Sequence, residues 1–280
     1  EILIGLVGSE MCIRDRIDST QALELNTLPS SAVIIGAGAV ALEFASLWNA
    51  AGCEVTLLIR KDRVLSTWER RASMTLTREL KRRGVNVIAR TAVDRVDTGA
   101  NLGATVHYRQ GDSDEDRTAY GEVVLAAIGR VPNTDADWFR SSGLKLDERG
   151  YVTVDGYGRT NLDGVWALGD ITPGHALAHR AFEQGITIAE KIAGADPKPV
   201  IDDTVPQVVF SFPEAASVGL TLDQAKARED VVEPKETAYP MLSNARMLMS
   251  GEGGSMTVVS GAFANNPDMQ VVLGAVSYTH

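Results

Sequence analysis

From Ala32 onward the chain alternates short, wholly apolar runs with longer amphipathic stretches. Ala32 to Ile35 carries no polar residue, as a parallel strand covered on both faces requires. The spacing that follows predicts a helix up to Gly52, with Leu42, Ala45, Leu47 and Trp48 as apolar positions. Glu54 to Ile59 is a second strand. Glu69 to Arg83 is a second amphipathic helix, with Leu76 and Leu80 on one side and a C-cap glycine at Gly84. Val85 to Ala89 is the next strand. Val93 to Val96, Ala104 to Tyr108 and Thr118 to Tyr120 then predict an antiparallel set around the polar turn RQGDSDEDR. Glu122 to Asn133 is a buried strand running into a Gly and a Pro-containing turn. Gly150 to Ile171 reads as strand-rich and closes in the apolar run Val165 to Leu168. Leu177 to Ile192 predicts a helix. Beyond the Pro-rich connection ADPKPVIDDT the pattern changes to VPQVVFSF, a short helix at Thr221 to Arg228, and three antiparallel strands in KETAYPM, SMTVVSGAF and VVLGAV.

The first strand runs directly into Gly36-Ala37-Gly38-Ala39-Val40-Ala41 at the start of the first helix. In such a strand–turn–helix unit Gly36 permits the tight turn and Gly38 lets the backbone approach a pyrophosphate. Ala41 keeps the helix close to the strand. The helix N-terminus presents its amides and positive dipole end to the anion. A dinucleotide-binding unit accounts for the paired glycines better than a ligand-free turn does. An NAD site places Asp or Glu at the end of the second strand, for the ribose 2′-OH. Here that strand ends in Ile59-Arg60-Lys61-Asp62-Arg63. Arg60, helped by Lys61 or Arg63, suits a 2′-phosphate and argues for NADP, with a solvated basic turn as the bland alternative. Asp170, just past an apolar run, can accept hydrogen bonds from a ribitol or ribose hydroxyl, with a plain Gly-Asp turn as the bland alternative.

Composition narrows the function classes. The chain has 280 residues, 44% apolar and 23% charged, within the range of globular proteins. A net charge of −10 argues against nucleic-acid backbone binding. No apolar run reaches the ~20 residues that span a bilayer, and the expected compartment is the cytoplasm. Two cysteines, Cys12 and Cys53, form neither a disulfide framework nor a metal cage, and the four histidines lack ligand spacing.

Taken together, IDSTQAL…LPSSAVIIGAGAVALE, AAIGRVPNT, TNLDGVWALGD and VPQVVFSFPEAASVGLT resemble the flavin-dependent pyridine nucleotide–disulfide oxidoreductases, from about Ile17 to Val276. The resemblance implies an α/β class: a Rossmann-like, three-layer FAD/NAD(P)-binding fold plus part of an α+β dimerisation domain. It divides the chain into a linker from the FAD domain (17–31), an NAD(P)-binding domain (32–131), the C-terminal part of the FAD-binding domain (132–200) and a truncated dimerisation domain (201–276). By the same resemblance Val40 and Glu43 lie near the flavin–nicotinamide contact, and Val93 and Gly129 near the dinucleotide. Asp170 binds the flavin's ribityl chain, and the helix opened by Ala176-Leu177-Ala178-His179 lies over the flavin. The implied cofactors are FAD and either NAD or NADP.

Within the family, HALAHRAFEQG and YPMLSNARMLM are similar to the dihydrolipoyl dehydrogenases. That branch implies a homodimer serving the lipoyl domains of 2-oxo acid dehydrogenase complexes. LLIRKDRVLS is instead similar to the NADP-using glutathione reductases, so a glutathione- or mycothione-type NADPH reductase is the runner-up. A non-catalytic dinucleotide-binding module is the alternative of another class, and an NADH oxidase matches the YPMLSNARM region poorly. The family's redox cysteine pair, its His–Glu dyad and its first FAD fingerprint are not found in these residues. The chain is therefore expected to be an internal, inactive piece without catalytic residues of its own. GLVGSEMCIRDR (within 1–16) and the terminal SYTH (277–280) resemble translated adapter tails. They are expected to be disordered or of arbitrary structure, with no chemistry at Cys12.

Overall fold

A computed structural model describes residues 16–98, 103–250 and 253–279. The chain forms two compact units: one takes in the chain up to Gly129 and again from Val208, the other Arg130–Gln207. Most of the expected NAD(P)-binding and dimerisation segments thus falls within one unit, with residues 130–131 and 201–207 in the other.

In the first unit a five-stranded parallel sheet has the order β1-β8-β2-β3-β4, with β1 Arg16–Ile17, β2 Ser31–Ile35, β3 Glu54–Ile59, β4 Asn86–Ala89 and β8 Val123–Ala126. Every ladder in it is parallel, Ile34 lying opposite Leu57 on one side and Leu125 on the other. Helix α1 (Ser19–Leu23) opens with a capping box between Asp18 and Gln21. Helix α2 (Ala39–Ala50) joins β2 to β3, and α3 (Arg70–Arg82) joins β3 to β4. The expected apolar run is the sheet's centre: Ala32, Val33 and Ile34 are buried between the helices and the three-stranded antiparallel sheet β5 Thr91–Thr98, β6 Ala104–Gln110, β7 Arg117–Gly121.

The second sheet of this unit is antiparallel, ordered β11-β12-β13-β10-β9, with β9 Gln207–Val209, β10 Glu214–Gly219, β11 Val231–Pro240, β12 Ser255–Phe263 and β13 Asn266–Thr279. Residues 277–279, expected to be a tail that is disordered or of arbitrary structure, are the end of β13. Tyr278 lies opposite Ala215 and Ser255 and packs on the main core cluster. The stretch is therefore ordered, and for a simple reason: β13 is a central strand, and both neighbours supply ladder partners near its end. Cys12 and the stretch before Arg16 lie outside the described residues.

The second unit contains α4 (Asp137–Arg140) and α5 (Ala178–Ile192) around a small core of Phe139, Val152 and Ala167. Gly150 to Ile171 is not strand-rich, contrary to expectation. It carries two isolated bridges, Leu146 with Val152 and Arg159 with Trp166. A strand exists only by its ladder, and among the described residues Val165 to Leu168 has no strand alongside, which leaves Val165 and Leu168 38% exposed.

Candidate dinucleotide and flavin sites

The turn after β2 is built from both neighbours of that strand. Gly36 donates its N–H to Leu58 O at 3.1 Å, and Ala127, just past β8, donates to Ile35 O at 2.8 Å. Gly36 has φ +143°, and a Cβ there would stand 2.2 Å from Ala127 O. Only glycine fits. The strand order reverses at β2, which puts this turn at a topological switch point, where α/β sheets bind ligands. Gly129 (φ +145°) follows in the segment that abuts the turn, and a Cβ on it would face open space.

Gly38 is exposed and is the N-cap of α2; no side chain caps the helix, and a Cβ at Gly38 would meet nothing within 4 Å. α3 contrasts: its N-cap Glu69 accepts from Arg71 and Ala72 N–H at 2.6 and 2.7 Å. An α-helix leaves its first amides without intrahelical partners, and α2 turns them to an open glycine cradle. That is the geometry a pyrophosphate requires. The residues present therefore fit a dinucleotide.

Ala37 O accepts Leu65 N–H at 2.9 Å, while Ala37, Ala39 and Val40 pack on the main core cluster. Glu43 is engaged within the unit: its Oε1 accepts Phe210 N–H at 3.0 Å. One turn on, Ser46 Oγ accepts Phe212 N–H at 3.1 Å. Val93 lies in β5 opposite Tyr108 and packs on the cluster that contains Ile35 and Leu58, so its described role is packing. Arg60 and Lys61 are exposed at the end of β3, and among the described residues neither side chain has a hydrogen bond or ion pair. Arg63 is different. It bonds Asp62 at 2.9 Å and Ser66 O at 3.1 Å and is largely buried, which ties down the third cation of the expected cluster.

In the second unit α5 also begins without a side-chain cap, at Leu177, so the amides of Ala178 and His179 share the α2 arrangement. Asp170 sits on a 3₁₀ turn, exposed, with Arg130 at 3.9 Å. The turn is fastened to α5 by Gln184, whose Oε1 accepts Gly169 N–H at 2.8 Å. One helical turn before Gln184, buried Arg180 donates to Asp202 and to Pro173 O, both at 2.6 Å. His179 Nε2 lies 2.7 Å from Pro206 O, which makes it the donor nitrogen. Asp170 and the α5 N-terminus are therefore held by one rigid frame. An exposed carboxylate beside uncapped amides fits a polyhydroxyl ligand bearing a carbonyl edge, as flavin dinucleotides do. Ala176 precedes the helix and is exposed. Gln184, Arg180 and Asp202 escaped the sequence reading; the i, i+4 spacing of Arg180 and Gln184 on one helix face was the available signal.

Cys53 is buried, and burial, followed by the charges of Glu122 and Glu54, pushes its thiol up to about 11. A raised pKa keeps it neutral at physiological pH, so it is no nucleophile. In a Cys12→Ser background, Ellman's reagent at pH 8 is expected to label Cys53 only after denaturation; rapid labelling of the native chain would contradict its burial. Among the described residues no His, Cys, Asp and Glu group could hold a metal ion, and no helix is long and apolar enough to cross a membrane.

Comparison with known proteins agrees with this geometry. The family profile "Pyridine nucleotide-disulphide oxidoreductase" matches residues 2–185. Dihydrolipoyl dehydrogenase of Cupriavidus necator is 36% identical over 235 residues, covering 84% of this chain and 48% of its own length. That of Geobacillus stearothermophilus is 38% identical over 237 residues, covering 83% and 48%. Among solved structures, LpdA from Mycobacterium tuberculosis superposes with a TM-score of 0.83 at 28% identity, over 100% of this chain and 57% of that one. The HOCl-induced flavoprotein disulfide reductase RclA from Escherichia coli gives 0.80 at 26%, over 96% and 60%. The chain spans about half the length of the curated relatives it matches. With the switch-point glycine turn, the uncapped α2 and a profile match over most of the sequence, the chain belongs to the pyridine nucleotide-disulphide oxidoreductase family.

Proposed function

We propose that this chain is the nucleotide-binding part of a dihydrolipoyl dehydrogenase-type enzyme, which moves electrons between dihydrolipoamide, a redox disulfide, FAD and NAD(P). The observation that carries the reading is the glycine turn at the switch point, which only glycine can form and which opens onto uncapped amides. Gly36, Ala37, Gly38 and Ala39 hold the pyrophosphate through backbone, with Gly129 opposite. Val40 lines the nicotinamide end, and Glu43 positions the Phe210 segment beside it. Asp170 and the turn from Ala176 to His179 hold part of the flavin. Arg60 and Lys61 favour the 2′-phosphate of NADP over the bare ribose of NAD, because charge-assisted hydrogen bonds need cations that are not already paired. Val93 supports the site from the core side.

The enzyme so completed acts as a homodimer in the cytoplasm, with lipoyl domains as partners. The relatives being dihydrolipoyl dehydrogenases favours that substrate over glutathione or mycothione. The purified 280-residue chain is expected to oxidise no dihydrolipoamide even with FAD added. Its cysteines, Cys12 and Cys53, are no closely spaced pair, and the Cys53 thiol is buried and neutral. Measured NAD(P)H formation above the enzyme-free rate would contradict this. Binding is the positive test: titration with NADPH is expected to saturate one site per chain, and a chain that binds neither NADPH nor NADH would end the proposal.

A further inference from the structure

Arg60 and Lys61 lie on a segment without helix or strand, yet its backbone is fastened at four points. Lys61 O accepts Arg90 N–H at 3.0 Å, and Val64 donates to Thr77 Oγ1 at 3.1 Å. Leu65 donates to Ala37 O in the glycine turn at 2.9 Å, and Leu65 O accepts the Ser73 hydroxyl at 2.7 Å. Thr77 closes the set by donating to Ser73 O at 2.8 Å. Ser73 is fully buried on α3, and a buried hydroxyl there serves only this bond.

Leu65 itself is the unusual residue. It is buried, and its φ of +44° lies in the left-handed region that bulky L residues rarely adopt. Such a conformation persists only where the surroundings over-determine it, and here the glycine turn holds one side and α3 the other. The left-handed step drives Val64 and Leu65 into the core while leaving the two cations outside. The offset between the cations and the glycine turn is therefore set by a chain of bonds: Ala37 to Leu65, Leu65 to Ser73, Val64 to Thr77.

We infer that Ser73 and Thr77, neither of which reaches the ligand, are positioning residues that hold Arg60 and Lys61 at the 2′-phosphate distance and so set NADPH-over-NADH preference. The inference rests on the dinucleotide reading above. Loosening the segment moves the cations relative to the pyrophosphate turn, which costs affinity only where the ligand carries a 2′-phosphate.

The test is calorimetric titration of the full 280-residue chain with NADPH and with NADH. Ser73→Ala removes one neutral hydrogen bond and Thr77→Val two, so NADPH affinity is expected to fall about three- to tenfold with NADH affinity held within about twofold. Thr77→Ser keeps the acceptor for Val64 and is expected to retain the wild-type ratio, and the two Thr77 variants carry the test should Ser73→Ala fail to fold. Equal losses for both nucleotides, or an unchanged ratio in Ser73→Ala and Thr77→Val, would overturn the inference while leaving dinucleotide binding intact. Wild-type protein that binds neither nucleotide, or that prefers NADH, would remove the reading beneath it.

Discussion

Gly36→Ala is expected to abolish nucleotide binding and to destabilise the first unit, whereas Gly38→Ala is expected to abolish binding alone. At Gly36 a Cβ would stand 2.2 Å from Ala127 O and 2.9 Å from Ala127 C, both backbone atoms that cannot swing aside. The backbone there also has φ +143°, which side chains of L residues rarely tolerate. Strain of this kind costs about 1–3 kcal/mol before the collision is added. The only relief is to part β2 from the segment after β8, which breaks the Ala127-to-Ile35 bond and opens the centre of the parallel sheet. Gly38 is the control. Its φ of −89° is open to any residue, and its Cβ would meet no protein atom within 4 Å. The added methyl group would occupy only open space, which the proposed function assigns to the pyrophosphate. Thermal melting and NADPH titration of the two variants separate the effects: Gly36→Ala loses melting temperature and binding, Gly38→Ala binding only. A Gly38→Ala chain that binds as tightly as the parent would show that the cradle is not the pyrophosphate site.

Arg60→Glu is expected to reverse the nucleotide preference. A hydrogen bond to a charged group contributes about 1.5–3 kcal/mol. Losing the Arg60 contact to a 2′-phosphate should therefore weaken NADPH by about 10- to 100-fold, and the new carboxylate adds repulsion. The same carboxylate can accept from a 2′-OH, so NADH should hold or gain. The guanidinium is exposed and otherwise unbonded, so the substitution disturbs no internal contact and the melting temperature should stay within about a degree or two. Salt supplies an independent check: a surface cation–phosphate contact weakens as ionic strength rises, and the wild-type NADPH preference should shrink with it. An Arg60→Glu chain with unchanged NADPH affinity would place the preference elsewhere.

The sequence and the structure agree best where local chemistry decides. Ala32 to Ile35 reads as a buried strand because four apolar residues in a row can be satisfied only by cover on both faces, and they are covered. The α2 and α3 boundaries follow from Gly38, Glu69 and Gly84, each of which acts at its own position. They disagree where a residue's state depends on a partner distant in sequence. Val165 to Leu168 has the composition of a buried strand, but among the described residues its pairing stops at one isolated bridge, Trp166 with Arg159. Tyr278 sits in a stretch whose sequence resembles a tail, and packs half-buried against the core because Ala215 and Ser255 flank it.

The candidate site divides the same way. Gly36, Gly38, Arg60 and Asp170 could be singled out as candidates because each rests on its own chemistry: a turn without Cβ, an exposed cation, a carboxylate past an apolar run. Nothing in RVLST announces that Leu65 takes a left-handed turn, nor in ASMTLT that two hydroxyls reach back to it. Arg63 looked like a third ligand cation and is instead consumed by Asp62 and Ser66. By itself the sequence determined the strand–glycine–helix unit and the charge at its edge, since these depend on residues close together along the chain. The tertiary structure alone decided which cations stay free, which backbone carbonyl makes Gly36 irreplaceable and what holds the edge in place. Those are contacts between residues far apart in sequence, and only the closed fold brings them within bonding distance.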